Sequence, residues 1–232
     1  MAGGPRRFTG AERMVSDMTQ LPERSSDSGT SAAAPRAPRL EWVYGQPVLI
    51  RVVVLWLATF AVLFASFALH LWLGDGYEGE ATGPTDAESV GEVLAVALPI
   101  NLGMLAFIGA SSTLFRFGPL NPGTLVIFIL AFTIGRVAGL NDFEYPMSSV
   151  GAGLVRFAQV GLWEVSAYVL VAAVTMTKSR WIADRVGAKR WRTERRWRDL
   201  EWTSSEVACF GVAVVLIVVA AVAEGLLLAR SP

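Results

Sequence analysis

The sequence predicts an all-α fold, a polytopic membrane helix bundle with five transmembrane helices and a cytoplasmic N-terminus. Three observations lead to this prediction. The 232-residue chain is 53% hydrophobic. Five long apolar runs come close to the length of about 20 residues with which a helix crosses a bilayer. The Lys and Arg residues are concentrated in alternate connections between these runs.

The five spans are predicted at about residues 48–73, 93–115, 124–140, 150–176 and 207–228. The segment before the first span and the four connections after it hold six, zero, one, zero and nine Lys or Arg residues. Because cytoplasmic connections are enriched in Lys and Arg, this alternation predicts an N-terminus inside and a C-terminus outside the cell membrane. A soluble helical protein is excluded, because the runs are longer than ordinary core helices and apolar on all sides.

The segment before the first span, residues 1–46, is rich in Gly, Ser, Pro and Arg and lacks apolar periodicity. We expect it to be a disordered, basic N-terminal arm. The single Cys209 excludes an intrachain disulfide, and the single His70 excludes a His-rich metal site. Phosphate-loop, zinc-protease and nucleophile-elbow motifs are missing from the sequence, so that no enzymatic activity, cofactor or metal is predicted.

The fourth apolar run, residues 150–176, carries Arg156, Gln159 and Glu164. Its Leu, Ile, Phe and Val residues favour insertion by about 3–7 kcal/mol, whereas a central carboxylate opposes insertion by about 2.5–3.5 kcal/mol. These two free energies nearly cancel. We therefore expect this helix to lie inside the bundle, where the other helices supply a partner for Glu164.

Asn101 and Glu164 fall near the middle of the second and fourth spans, counted at about 1.5 Å per residue. Together with Gln159 they form a predicted intramembrane polar centre. Pro99, two residues before Asn101, is expected to kink the second span at this depth. Two interpretations are open. The three side chains either bond the helices together or line a path for protons or ions.

Two further groups of residues are predicted to hold the bundle together. An outer ionic cluster is expected from the charges near the outer ends of the spans and in the connection beside them: Arg136, Arg156, Asp142, Glu144 and Glu224. Close helix packing is expected at small residues that are spaced four apart: Gly135 with Gly139, and Ala221 with Gly225.

The segment 178–201 between the last two spans is basic and rich in tryptophan. On a helical wheel its apolar residues form an imperfect stripe of four side chains: Ile182, Val186, Trp197 and Leu200. This pattern predicts a cytoplasmic, basic amphipathic segment that lies on the membrane surface or binds a partner. A positively charged loop explains the composition equally well. Nucleic acid is not an expected partner, because a membrane surface already accounts for basic and aromatic residues together.

Three short motifs stand in the second span, in the turn after it and in the fourth span. In the second span, Asn101 is followed by small residues (INLGMLAFIGASSTLF), and the turn 118–123 leads into the third span. The fourth span contains VGLWEVSAYVLVAA. Together these motifs resemble the stage II sporulation protein M family of five-span membrane proteins. Gly161 and Glu164 match the family's His-Gly-x-x-Glu pattern, and Val160 stands at the histidine position. The namesake of the family assembles with cell-wall hydrolases at the engulfing membrane of spore-forming bacteria.

The resemblance implies an integral membrane scaffold or assembly protein of the cell membrane, without catalytic activity of its own. Its expected partners are the lipid bilayer and other membrane proteins or further copies of the chain. The alternative is a small channel or transporter whose path is lined by Asn101, Gln159 and Glu164. The five-span count disfavours this alternative, because five spans do not divide into the two equal repeats that are common in transporters.

Overall fold

The computed structural model describes residues 41–73, 89–140 and 149–228. These residues are mostly helical. The helices are α1 (Glu41–Tyr44), α2 (Val48–Leu73), α3 (Val90–Leu114), α4 (Pro122–Leu140), α5 (Val150–Gln159), α6 (Gly161–Thr175) and α7 (Ser204–Leu228). Three short strands accompany them: β1 (Phe115–Phe117), β2 (Trp181–Ala183) and β3 (Arg192–Thr193).

Four of the helices, α2, α3, α4 and α7, are long and apolar enough to cross a membrane, and a fifth crossing follows if the bent pair α5–α6 counts as one span. This confirms the predicted membrane-length helices. The predicted span from 48 to 73 has the same bounds as α2, whereas α3, α4 and α7 each begin two or three residues earlier than predicted. The early starts have a local cause, because polar residues cap each of these helices ahead of its apolar run.

The fourth predicted span is not one straight helix. It is divided at Val160, whose backbone leaves the helical region (φ −129°, ψ −64°), and the axes of α5 and α6 meet at 50°. Gly161 lies directly against the ring of Phe157, and a β-carbon at Gly161 would come within 2.6 Å of that ring. The absence of a side chain at Gly161 thus lets Phe157 fold back over the break.

The predicted kink at Pro99 does not interrupt α3, which continues as a helix through Pro99 to Leu114. The helix break lies in the fourth predicted span, between α5 and α6, and the bend at Pro99 stays a prediction. Proline removes only one backbone hydrogen bond, and the helix continues on both sides of it.

Helix α6 lies at the centre of the bundle, in contact with α2, α3, α4 and α7. Nine of its fifteen residues are buried. By contrast, α2, α3, α4 and α7 each carry exposed Leu, Ile, Val or Phe side chains along their outer faces. The expectation that the helix of Glu164 lies within the bundle agrees with this arrangement.

Starts of some helices and ends of others lie together at each end of the bundle. The start of α2 meets the start of α7 and the end of α6, and the end of α3 is joined to the start of α4 by β1 and a tight turn. At the opposite end, Gly225 of α7 contacts Val90 of α3, and Gly139 of α4 contacts His70 of α2. We name these two ends the sheet end and the far end of the bundle.

The three strands form a small sheet at the sheet end. Strand β2 is central, parallel to β1 and antiparallel to β3. The segment 178–201 is therefore not the amphipathic helix that the wheel predicted. It runs as a 3₁₀ turn (Met176–Lys178), two strands and a second 3₁₀ turn (Trp197–Asp199). Ile182 lies in β2 and is buried, whereas Val186 lies in the turn after β2 and is exposed.

Part of the predicted disordered arm is ordered. Residues 41–44 form α1, Val43 is buried, and the Tyr44 hydroxyl donates a hydrogen bond to the carbonyl of Pro119 at 3.1 Å. Arg116 lies over the Tyr44 ring at 4.7 Å from its centroid. Burial raises the pKa of Tyr44 to about 12 despite this cation, so that the ring stays neutral at physiological pH. The rest of the predicted arm, residues 1–40, lies outside the described residues.

Candidate functional site: polar side chains paired across the helices

A chain of hydrogen bonds joins α3 to α6 inside the bundle. The side-chain amide of Asn101 donates to the Glu164 carboxylate at 2.5 Å, and the hydroxyl of Tyr168 donates to the amide oxygen of Asn101 at 3.0 Å. Both functional atoms of the Asn101 side chain are thus satisfied by α6. The spacing Glu164 to Tyr168 explains this geometry, because residues four apart lie on one face of a helix.

The break before α6 gives Glu164 a particular position. Val160 is the last residue before α6, so that Glu164 lies in the first turn of α6 instead of in the middle of a continuous span. The backbone N–H groups of the first turn carry partial positive charge, which favours a carboxylate there. Glu224 of α7 lies close enough to Glu164 for the two carboxyl groups to interact electrostatically. The Glu164 carboxylate is thus bonded to the Asn101 amide of α3 and lies within electrostatic range of Glu224 of α7.

The third member of the predicted polar centre does not join it. Gln159 is the last residue of α5, its side chain is exposed, and it forms no hydrogen bond with Asn101 or Glu164. The break at Val160 separates it from Glu164. Tyr168 takes the place that was predicted for Gln159, and its position four residues after Glu164 is a signal that the sequence already contained.

The predicted outer ionic cluster is not assembled among the described residues. Arg136 is exposed, Arg156 is half-buried, and neither forms an ion pair within the described part of the chain. Glu224 forms no ion pair with these arginines within the described residues and interacts electrostatically with Glu164. Asp142 and Glu144 lie outside the described residues.

The predicted small-residue pairs lie at close helix contacts. A β-carbon at Gly135 would lie 2.2 Å from the Leu63 carbonyl, and one at Gly139 would lie 2.5 Å from the Phe67 carbonyl. The backbones of α2 and α4 therefore touch along this line. On α7, Ala221 is fully buried, and a β-carbon at Gly225 would lie 2.9 Å from the Val90 side chain of α3.

A second polar cluster, a buried ion triad, lies at the sheet end. The carboxylate of Glu206 pairs with Arg51 at 3.2 Å and with Lys178 at 2.8 Å, and all three residues are at most 6% exposed. Arg51 comes from the first turn of α2, Lys178 from the turn after α6, and Glu206 from the first turn of α7. The triad ties three separate parts of the chain together.

Further hydrogen bonds hold the triad in place. Arg51 donates to the Ala173 carbonyl at 2.6 Å and to the Thr177 hydroxyl at 3.0 Å. Lys178 donates to the backbone carbonyl of Glu201 at 2.6 Å. The Glu206 carboxylate accepts the N–H of Thr203 at 3.0 Å, while the Thr203 hydroxyl accepts the N–H of Glu206 at 3.2 Å. This reciprocal pair is a capping box that starts α7.

A third polar cluster surrounds Asn121, which is 2% exposed. Its amide oxygen accepts the hydroxyl of Ser112 at 2.6 Å and the N–H of Gly123 at 3.0 Å, and its amide nitrogen donates to the Ser179 hydroxyl at 3.3 Å. Asn121 thereby caps α4 and joins α3 to the segment after α6. Just before it, Gly118 adopts the left-handed conformation (φ 55°), and its N–H donates to the Ala183 carbonyl at 2.7 Å.

Sequence reasoning missed the ion triad and the Asn121 cluster, although both left local signals. The sequence Thr203–Glu206 (TSSE) is a capping-box pattern, and Asn121 followed by Pro122 is a strong helix start. Those patterns predict where helices begin. The distant partners, Arg51 and Ser179, have no local signal.

The three clusters use their polar atoms for interhelical bonds. Within the residues that the structure describes, no group of three or more His, Cys, Asp or Glu side chains could hold a metal ion. Comparisons with protein families, with curated proteins and with solved structures gave no match for this chain.

Proposed function

We propose that this chain is an integral protein of the cell membrane that crosses it five times, with its N-terminus in the cytoplasm. It acts there as a scaffold or assembly protein without catalytic activity, as the resemblance to the stage II sporulation protein M family implies.

The topology is supported by the four segments that lie together at the sheet end of the bundle. Strand pairing between β1 and β2 brings the connection after α3 beside the segment after α6. The ion triad adds the start of α2 and the start of α7 to the same end. The predicted orientation requires all four of these segments to be cytoplasmic. They also include the connections that carry Lys and Arg, as the positive-inside rule requires.

The scaffold role is supported by one observation: two clusters of polar side chains inside the bundle are bonded across the helices. Asn101, Glu164 and Tyr168 form one bonded chain, and Arg51, Lys178 and Glu206 form another. Interhelical hydrogen bonds of this kind stabilise membrane bundles. They fix the helices and leave the outer faces to interact with lipid or with partners.

We propose the outer faces of α3 and α7 as the surface for partner helices. Gly103 and Gly211 are exposed, and neither has any atom within 4 Å of the place of a β-carbon. In membranes, helices associate through small residues that allow close backbone approach. The partner is thus expected to be an apolar helix, either from another protein or from a second copy of the chain.

Partner capture tests this role. The full-length protein is cross-linked in membranes, extracted in a mild detergent, and compared with the variants Gly103→Leu and Gly211→Leu. We expect both variants to fold normally but to lose the cross-linked partner. The control Val53→Leu enlarges a side chain that is 55% exposed on α2 and should retain the partner. A partner that is retained equally in all variants would contradict the proposed face.

A small channel or transporter is the second candidate, and the broken helix favours it. Secondary transporters bind substrates at the ends of discontinuous helices near charged side chains. The break at Val160 lies four residues before Glu164, and Glu224 lies within electrostatic range of Glu164. Liposomes that contain the purified protein and a pH-sensitive or ion-sensitive dye separate the two candidates. Flux that Glu164→Gln abolishes would favour transport. Liposomes without flux under proton and cation gradients would favour the scaffold.

A further inference from the structure

The small sheet at the sheet end has one aromatic face. Phe115 stacks on Trp181 with their ring centroids 5.4 Å apart, and Trp191 meets Phe115 and Phe117 edge to face at 5.7 and 5.1 Å. The face is not covered by the described part of the chain, because Trp191 is 44% exposed and Phe115 is 36% exposed. We name β1 together with residues 178–203 the cap.

The cap carries many cations without internal partners. Residues 178–201 hold nine Lys or Arg against four Asp or Glu. Lys178 forms an ion pair with Glu206, and the Nε atom of Arg192 lies 3.8 Å from a carboxylate oxygen of Glu194. The remaining seven have no ion pair within the described residues: Arg180, Arg185, Lys189, Arg190, Arg195, Arg196 and Arg198. The surface therefore has a strong unneutralised positive charge.

One of these cations is held by aromatic rings. The guanidinium of Arg180 lies 4.4 Å from the ring centroid of Trp181 and 5.4 Å from that of Trp197. Stacking fixes the plane of a guanidinium and leaves its N–H groups directed outwards from its edge. A fixed guanidinium without a carboxylate partner is suited to bind the oxygens of a phosphate.

The position of the cap relative to the helices determines which part of a bilayer it contacts. Phe115 directly follows the last residue of α3, and Ser204 begins α7 directly after Thr203. The cap thus lies at the level where the apolar helices end. In a bilayer this is the level of the headgroups, where tryptophan is enriched and where Arg and Lys reach phosphates.

We propose that the cap is a binding surface for anionic phospholipid headgroups, with the unpaired arginines on the lipid phosphates and the exposed tryptophans between them. The proposal rests on the membrane topology given above, but not on the scaffold role. An acidic protein segment would also satisfy the charge. It would not account for three large indoles exposed by 42–53% at the ends of apolar helices: Trp191, Trp197 and Trp202.

The test measures lipid affinity with the full-length protein in a neutral detergent. Dioctanoyl phosphatidylglycerol and dioctanoyl phosphatidylcholine are titrated in parallel, and Kd is obtained from the rise in the thermal midpoint, because a ligand that binds only the folded state stabilises it. We expect the anionic lipid to bind more tightly, and added NaCl to weaken its binding but not that of phosphatidylcholine. Equal affinities for the two lipids would overturn the proposal.

A charge-matched pair of variants locates the site. Arg195 and Arg198 are exposed cations of the cap, whereas Arg136 and Arg156 belong to helices at the far end. At about 1 kcal/mol per cation, Arg195→Gln/Arg198→Gln should weaken binding of phosphatidylglycerol by about 30-fold. Arg136→Gln/Arg156→Gln removes the same charge and should leave the affinity unchanged. Equal losses in both double variants would overturn the assignment to the cap.

Two competitors separate the lipid from other anions. Inorganic phosphate and polyglutamate are added to the complex with phosphatidylglycerol. We expect neither to displace the lipid at equal concentration, since neither has acyl chains to lie against the exposed tryptophans. Displacement by phosphate would indicate a soluble phosphate ligand, and displacement by polyglutamate would indicate an acidic protein partner. Either result would overturn the proposal while leaving the five-span topology and the scaffold role untouched.

Discussion

Arg51 pairs with Glu206 at 3.2 Å across 155 residues of sequence, and both side chains are almost completely buried. This ion pair connects α2, the first membrane-length helix, to α7, the last. Lys178 completes it as a second cation on the same carboxylate. A buried carboxylate between two cations is costly to remove, because each cation is then left in a low-dielectric environment without a counter-charge.

Glu206→Gln should therefore lower the stability of the folded bundle by about 3–5 kcal/mol, which is typical of breaking a buried ion pair from one side. In a chain of this size such a loss lowers the thermal midpoint by about 6–20 °C. The midpoint is measured in mild detergent by circular dichroism. Glu201→Gln is the matched control, because the Glu201 side chain is exposed and only its backbone carbonyl contacts Lys178. Equal midpoints for the two variants would contradict a structural role of the triad.

Gly135→Ala should separate α2 from α4. The added methyl group would lie 2.2 Å from the Leu63 carbonyl, so that the backbones must move apart, at a cost of about 1–3 kcal/mol for overpacking. Gly103→Ala adds the same methyl group where no atom lies within 4 Å and should be neutral or slightly stabilising. Thermal unfolding of both variants provides the comparison. If Gly135→Ala unfolds at the wild-type temperature, the two helices do not touch at this residue.

The membrane-length helices could be predicted because the free energy of insertion is a local property of sequence. Residues 48–73 are apolar whatever they pack against, and the predicted helix has the bounds of α2. The burial of α6 could be argued in the same way, since Glu164 needs a partner. Helix starts were harder to place, because they depend on caps such as Asn121 and Thr203 that lie outside the apolar runs.

The break at Val160 and the small sheet could not be predicted, for two different physical reasons. Average hydropathy is the same for a straight and for a broken helix, and it does not register the contact of the Phe157 ring with Gly161 at the break. The strands of the sheet are two or three residues long, which is too short for an alternating pattern to appear. They form because α3 and α6 end side by side, so that Phe115 meets Trp181.

Asn121→Ala should destabilise the sheet end. The substitution removes the N-terminal capping side chain of α4 and leaves the hydroxyls of Ser112 and Ser179 with fewer hydrogen-bond partners. The combined loss of folding stability is about 2–3 kcal/mol. Thr124→Val is the control, because it removes a buried hydroxyl that has no hydrogen-bond partner among the described residues. Hydrogen exchange of the backbone amides of residues 122–126 measures the effect locally. Faster exchange in the Thr124 variant than in the Asn121 variant would reject this role of Asn121.

Substitutions of Glu164 distinguish a structural role of its hydrogen bond from a role in proton or ion chemistry. Glu164→Gln keeps an oxygen that accepts the amide of Asn101, so we expect folding and partner assembly to change little. Glu164→Leu leaves the Asn101 amide without an acceptor and should cost about 1–3 kcal/mol. Gln159→Leu is the control, since the exposed Gln159 side chain has no bond to this cluster. Thermal midpoints and cross-linking in membranes give the two readouts. A Glu164→Gln variant that folds and assembles normally but has lost its activity in cells would show that the carboxylate takes part in proton or ion chemistry.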